Sequence, residues 1–280
     1  MADTDMFFDS HCHFDFPEFD EDRMEVWRAA QAAGIKAMVM PGVYPEQWDR
    51  LIAIAEKEPG FYWALGIHPC WIHQVAVDSE SLRVYAGQID NYLAVLSASN
   101  RQKFIAIGEC GLDKTIDTSL PQQMELLRWH IELANRLGKP LIVHSLKTHN
   151  ELISLCKNHK PQQGGVVHAF SGSYETAMQL IDLGFYLGAG GVITYERAQK
   201  TRNTFARVPR EAILLETDAP DMPLCGRQGI RNTPQSIPLI AQALADLRGE
   251  TLAVIAKATF ENSCRLFSPL IPSFLNDKEQ

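Results

Sequence analysis

His11 and His13 stand one residue apart at the end of an apolar run, and four more polar residues close later runs of the same kind. Glu109 follows Phe104-Ile105-Ala106-Ile107-Gly108, His144 follows Pro140-Leu141-Ile142-Val143, His168 follows Gly165-Val166-Val167, and Asp218 ends the stretch from Ala212. Imidazoles and carboxylates bind divalent cations, and this mixed nitrogen–oxygen set suits zinc, manganese or cobalt ahead of magnesium, which favours all-oxygen shells. Alternate strand residues share a face, so His11 and His13 are expected to point one way and Cys12 the other. A lone strand histidine is more often a satisfied core residue; a His-x-His pair reverses that expectation. Glu109 needs either a cation or a buried salt bridge, because an unpartnered buried carboxylate is costly. Its two oxygens would let it hold one ion with each. Asp9 is either a partner orienting an imidazole or a turn cap. Asp218 is a candidate ligand and proton acceptor for an attacking water, and Glu216 lies on the same side, one layer deeper, as a structural residue.

Such residues can meet only if their strands share one end. Ile35 to Met40, Phe61 to Ile67 and Phe185 to Leu187 complete a set of eight strand-like runs counted from Phe7. Helical patterns cover Glu21 to Ala33, Pro45 to Lys57 and Pro121 to Leu137, the last with Met124, Leu127, Ile131 and Ala134 at helical spacing. Alternating strands and helices imply a parallel sheet with right-handed crossovers, and eight strands favour a closed (β/α)8 barrel whose strand ends share one face. Thr233-Pro234 is expected to open an extra pair of C-terminal helices running to about Leu266. Pro69 to Ser79 and Ala219 to Asn232 are expected to rise over the ligand-bearing face as long loops.

No linker or low-complexity tract interrupts the 280 residues, so residues 1–280 read as a single barrel domain. No apolar run reaches membrane-spanning length, and Met1-Ala2-Asp3-Thr4-Asp5 is acidic, unlike the basic start of a signal peptide. A cytoplasmic monomer with no membrane contact is the expectation. The six scattered cysteines read as free thiols. A net charge of −8 argues against a generally basic nucleic-acid-binding surface, though not against an enzyme that meets phosphates through bound cations.

Asp9-Ser10-His11-Cys12-His13-Phe14-Asp15, Gly108-Glu109-Cys110-Gly111-Leu112-Asp113, His168-Ala169-Phe170-Ser171-Gly172 and Glu216-Thr217-Asp218-Ala219-Pro220 resemble the signature blocks of the TatD family, in order and across nearly the whole chain. Gly190 to Tyr195 and Asp221 to Leu224 resemble its bacterial YjjV-like branch. The resemblance implies a distorted TIM barrel of the amidohydrolase superfamily carrying two divalent ions per subunit. His11, His13, Glu109 and Asp218 would hold one ion and Glu109, His144 and His168 the other. Gly66-Ile67-His68-Pro69 also matches a family block and makes His68 a candidate substrate contact. One departure stands out: many members have Arg after the His-Ser of the fifth strand, where this chain has Leu146 followed by Lys147. Lys147 offers only a point charge to a phosphate, and Arg231 and Asn232 are further candidate substrate contacts.

The expected chemistry is metal-assisted hydrolysis, with two ions activating a water and Asp218 taking its proton. The resemblance makes a DNA phosphodiester the leading substrate and partner. A small amide, ester or lactone is the alternative on this scaffold, and a non-catalytic metal- or nucleic-acid-binding protein the remote one. Ser171 is expected to shape a phosphate-binding turn rather than act as a nucleophile, and Trp71 and Phe170 to pack rather than stack on bases.

Overall fold

The computed structural model describes residues 5–267, so the first four residues of the acidic start and the end of the 1–280 span lie outside the described residues. Eight parallel strands follow one another around a single sheet in sequence order: β1 (Phe7–Asp9), β2 (Ile35–Pro41), β3 (Phe61–Leu65), β4 (Phe104–Asp113), β5 (Leu141–Leu146), β6 (Gly165–Val167), β7 (Phe185–Ala189) and β8 (Ile213–Leu215). Backbone bonds from Ser10 N–H to Leu215 O and from Asp218 N–H to His11 O, both 2.9 Å, join the last strand to the first and close the barrel.

Ten α-helices lie among the described residues: α1 (Arg23–Ala32), α2 (Trp48–Ala55), α3 (Ser79–Val95), α4 (Ala98–Gln102), α5 (Leu120–Leu137), α6 (His149–Asn158), α7 (Tyr174–Asp182), α8 (Gln199–Arg207), α9 (Ile237–Arg248) and α10 (Leu252–Leu266). The expected helices are present, with Pro45–Gln47 a 3-10 turn ahead of α2. None of the helices is long and apolar enough to cross a membrane. All six cysteines are free thiols.

The period of two along each strand sorts the core into two layers. Phe8, Val39, Tyr62, Ala64, Ile142, Val166 and Leu214 form one buried cluster inside the barrel, whereas Met38, Trp63, Leu141, Val143, Leu187 and Leu215 pack outward on the helices. The inner cluster also contains Phe260, Cys264, Leu266 and Phe267 from the last helix and its exit. Phe8 stacks on Tyr62 (6.4 Å) and Phe267 (6.0 Å) and meets Phe260 edge-on, so α10 plugs the N-terminal end of the barrel. That leaves the opposite end, where the strands finish, for a site.

Candidate metal centre

The strand period carries through to the site. His144 and His168 stand two residues beyond inward-facing Ile142 and Val166, and Glu216 and Asp218 stand two and four beyond Leu214. His11 and His13 lie past the end of β1 rather than on it, held by Cys12 N–H to Val39 O (3.0 Å) and His13 N–H to Ala219 O (2.8 Å). The Cys12 side chain is buried in the outer layer, as alternation requires. Glu109, 2% exposed, sits on β4 within the register irregularity between Ile107 and Cys110. Gly66 makes that close approach possible, since a Cβ there would lie 2.5 Å from Glu109 O.

The two oxygens of Glu109 face different groups. Oε2 lies 3.3 Å from His11 Nε2 and 3.4 Å from His13 Nε2. Oε1 lies 2.8 Å from His168 Nε2, 3.2 Å from His68 Nε2 and 3.5 Å from His144 Nδ1. Asp218 Oδ1 completes the first group, 3.4 Å from His11 and 3.5 Å from His13. The two imidazoles of that group are 3.3 Å apart at Nε2. Four ligand atoms about 2.1 Å from one tetrahedral centre stand about 3.4 Å from one another. The His11, His13 and Asp218 atoms, 3.3 to 3.5 Å apart, match that figure, and Glu109 Oε2 lies at a similar distance from both imidazoles, so this half of the site fits a cation. In the second half His144 Nδ1 and His168 Nε2 are 3.1 Å apart on either side of Glu109 Oε1.

Hydrogen bonds around the rim set the tautomers. Asp113 Oδ2 lies 3.1 Å from His144 Nε2, so the proton sits there and Nδ1 offers its lone pair inward. His68 is the reverse case. Its Nδ1 accepts from Cys70 N–H at 3.1 Å, which puts the proton on Nε2, and that N–H is directed at Glu109. Although His68, Glu109 and His144 atoms cluster closely enough to hold an ion, the tautomer makes His68 a donor that orients Glu109. His68, the expected substrate contact, thus stands at the pocket with its ring N–H on Glu109.

Burial alone would raise Glu109, but His68, His168 and His11 around it hold its pKa well below the usual carboxylate range. His11 is pushed down to about 4 by burial and by neighbouring His168. Asp9 does not orient an imidazole: its carboxylate accepts from the backbone N–H groups of His11 and Thr217 and from Thr217 Oγ1–H, pinning β1 to β8. Burial raises its pKa to about 7 despite those bonds. Glu216 is structural as expected. It accepts the Ala169 N–H, and Gly188 leaves it room, since a Cβ there would lie 2.1 Å from Oε2.

Two further expectations are corrected. Arg231 pairs with Asp22, bonds Glu18 O and lies over the Phe19 ring, so its guanidinium is committed to the α1 side of the barrel rather than to substrate. Asn232 is buried, donating to Thr217 O and Met222 O and accepting from Ser236 Oγ–H; it clamps the last loop. Lys147 stays exposed beside the site and lines a cleft there. Phe170 packs in the core, and Trp71 stacks on Tyr44 at 4.4 Å. Asp113 was missed as a functional residue, although its place four residues beyond Glu109 on one strand was a signal.

A closed parallel barrel with imidazoles and carboxylates gathered at the strand ends is the arrangement of a metal-dependent hydrolase. The chain belongs to the TatD family: residues 8–268 match the family model described as TatD related DNase. It is 39% identical over 263 residues to YjjV of Escherichia coli K12, described as an uncharacterized metal-dependent hydrolase, covering 94% of this chain and 98% of that one. It is 31% identical over 264 residues to YabD of Bacillus subtilis 168, described in the same words, covering 94% and 99%. The crystal structure of YjjV superposes with a TM-score of 0.86 over 93% of this chain and 97% of that one, again at 39% identity. A phosphotriesterase homology protein from E. coli, crystallised with phosphate in its active site, superposes at 0.60 with 13% identity over 91% and 96%, which extends the likeness to the barrel alone.

Proposed function

We propose that this chain hydrolyses phosphodiester bonds of DNA with two divalent ions, one held by His11, His13, Asp218 and Glu109 Oε2, the other by His144, His168 and Glu109 Oε1. The observation that carries the proposal is the division of Glu109, whose Oε2 lies beside His11 and His13 and whose Oε1 lies beside His144 and His168. The family description, TatD related DNase, supports DNA as the substrate class. When bound, the cations supply Lewis-acid charge that polarises the phosphoryl oxygen and makes the attacking water more acidic.

The side chains divide the remaining tasks. On this reading Asp218 takes the proton of the attacking water and returns it to the leaving oxygen, which its greater exposure than Glu109, 14% of its side chain, supports. Its left-handed backbone (φ 56) follows the turn that brings it back over His11. Glu109 stays ionised and immobile, held by the His68 N–H and by Glu109 N–H to Gly42 O at 2.9 Å. Asp113 and Glu216 keep the β5 and β6 ends in place through His144 and Ala169.

The test is turnover of labelled single-stranded DNA, a bis(4-nitrophenyl) phosphate analogue and an amide, ester and lactone panel by protein loaded with manganese, zinc, cobalt or magnesium. Glu109→Ala is expected to lose turnover and metal content together. Activity confined to acyl substrates would overturn the phosphodiester reading, and an unchanged metal content in Glu109→Ala would overturn the bridging role.

A further inference from the structure

Beside the second half of the metal centre the barrel top opens into a cleft of about 490 Å³. Ser145 and Ala169, the residues that directly follow His144 and His168, form its inner edge. The cleft is therefore continuous along the chain with the site. Its walls carry Lys114, Lys147 and Lys200, on a protein whose net charge is −8. Glu151, also in the wall, pairs with Lys114. Lys147 and Lys200 make no salt bridge among the described residues, so the cleft keeps two positive charges outside any ion pair. Glu175, at the first turn of α7, is a further acidic group that feels Lys200.

The backbone adds to this charge. α6, α7 and α8 all begin at the cleft, which His149, Thr176 and Lys200 from their first turns help to line. Each start brings the positive end of a helix dipole, and at α7 the Ser173 Oγ caps the Thr176 N–H. Lys147 and Ala169 both adopt left-handed backbone (φ 58 and 44) as the chain leaves β5 and β6, an uncommon conformation for residues with a Cβ.

We propose that this cleft is a second anion subsite, which takes the phosphate next along the substrate from the one at the metal centre through Lys147 and Lys200. The inference rests on the phosphodiester reading and sharpens it: the substrate carries at least two phosphates, as an oligonucleotide does and a simple diester does not. The charge on this side of the site comes from two lysines, Lys147 just past β5, where Leu146 follows Ser145, and Lys200 in the first turn of α8.

The experiment measures binding rather than turnover. A fluorescein-labelled, cleavage-resistant phosphorothioate trithymidylate is titrated into the metal-loaded protein and followed by anisotropy across a salt series. The Lys147→Ala/Lys200→Ala double variant is expected to bind roughly tenfold more weakly at low salt, with the slope of log Kd against log salt flatter by about 1.4 for two lost contacts to a single strand. Replacing the linkage distal to the scissile bond by a neutral methylphosphonate should weaken wild type to a similar degree and leave the double variant unaffected. Lys257→Ala, exposed on α10 at the other end of the barrel, should match wild type. A double variant that binds like wild type, one that loses as much on the neutral linkage as wild type does, or wild type that fails to bind the trinucleotide, would each overturn the subsite. Hydrolysis of bis(4-nitrophenyl) phosphate tests the underlying reading separately, because that diester has no second phosphate.

Discussion

Asp113 shows how one side chain can govern another's chemistry. Its Oδ1 accepts both the N–H and the Oγ1–H of Thr115, at 2.7 and 2.6 Å, which leaves Oδ2 to accept from His144. In Asp113→Asn the single amide oxygen would keep the Thr115 bonds, and the NH2 group would then face His144 Nε2. That nitrogen would have to become an acceptor, moving the ring proton to Nδ1 and blocking the lone pair directed at Glu109. The expected outcome is a 10- to 100-fold loss of metal affinity at the second position or of activity. Calorimetric metal titration of the variant checks it, and unchanged affinity would refute the tautomer argument.

Among the elements, α5 places a histidine that takes no part in the metal cluster. His130 is fully buried; its Nε2 accepts the Ile67 N–H at 3.0 Å and its Nδ1–H donates to Leu126 O at 2.8 Å. The residue it holds precedes His68, so α5 fixes the segment from which His68 reaches Glu109. Burial pushes its pKa from 6.5 down to about 3, and a proton on Nε2 would confront the Ile67 N–H. The folded state keeps this ring neutral while the unfolded chain protonates it near 6.5. Its stabilising contribution is therefore complete above about pH 6.5 and is lost as pH falls toward 3, at about 1.4 kcal/mol per unit. His130→Gln can keep both hydrogen bonds without titrating. Urea denaturation at pH 7 and pH 5 should show a smaller loss for the variant, and parallel losses would exclude His130 from the acid sensitivity.

At the scale of the molecule, the two barrel ends have separate jobs. The candidate metal-binding side chains gather at one end, and the aromatic plug of Phe8, Tyr62, Phe260 and Phe267 closes the other. Phe260→Ala opens a cavity in that plug and is expected to cost about 3–5 kcal/mol of unfolding free energy. Because the plug lies at the far end, the folded fraction should keep wild-type metal stoichiometry and kcat. Urea unfolding with metal analysis at low temperature checks both. A drop in metal content without loss of stability would mean the ends are coupled.

The amino-acid sequence by itself determined the eight strands and the order of the candidate ligands His11, His13, Glu109, His144, His168 and Asp218, because apolar runs ended by a lone polar group carry their own signal. Free thiols and the C-terminal helix pair were legible in the same way. Only the tertiary structure decided which side chains spend their polar atoms on one another. Arg231 and Asn232 look alike as loop residues until Asp22 and Thr217, distant in sequence or across a turn, are brought to them. His68 could be assigned as a donor only once Cys70 N–H reached its Nδ1, and Lys147 joined Lys200 only when β5 and α8 met at one cleft. Periodicity along a strand is a local property, whereas a hydrogen-bond partner is chosen by the closure of the barrel.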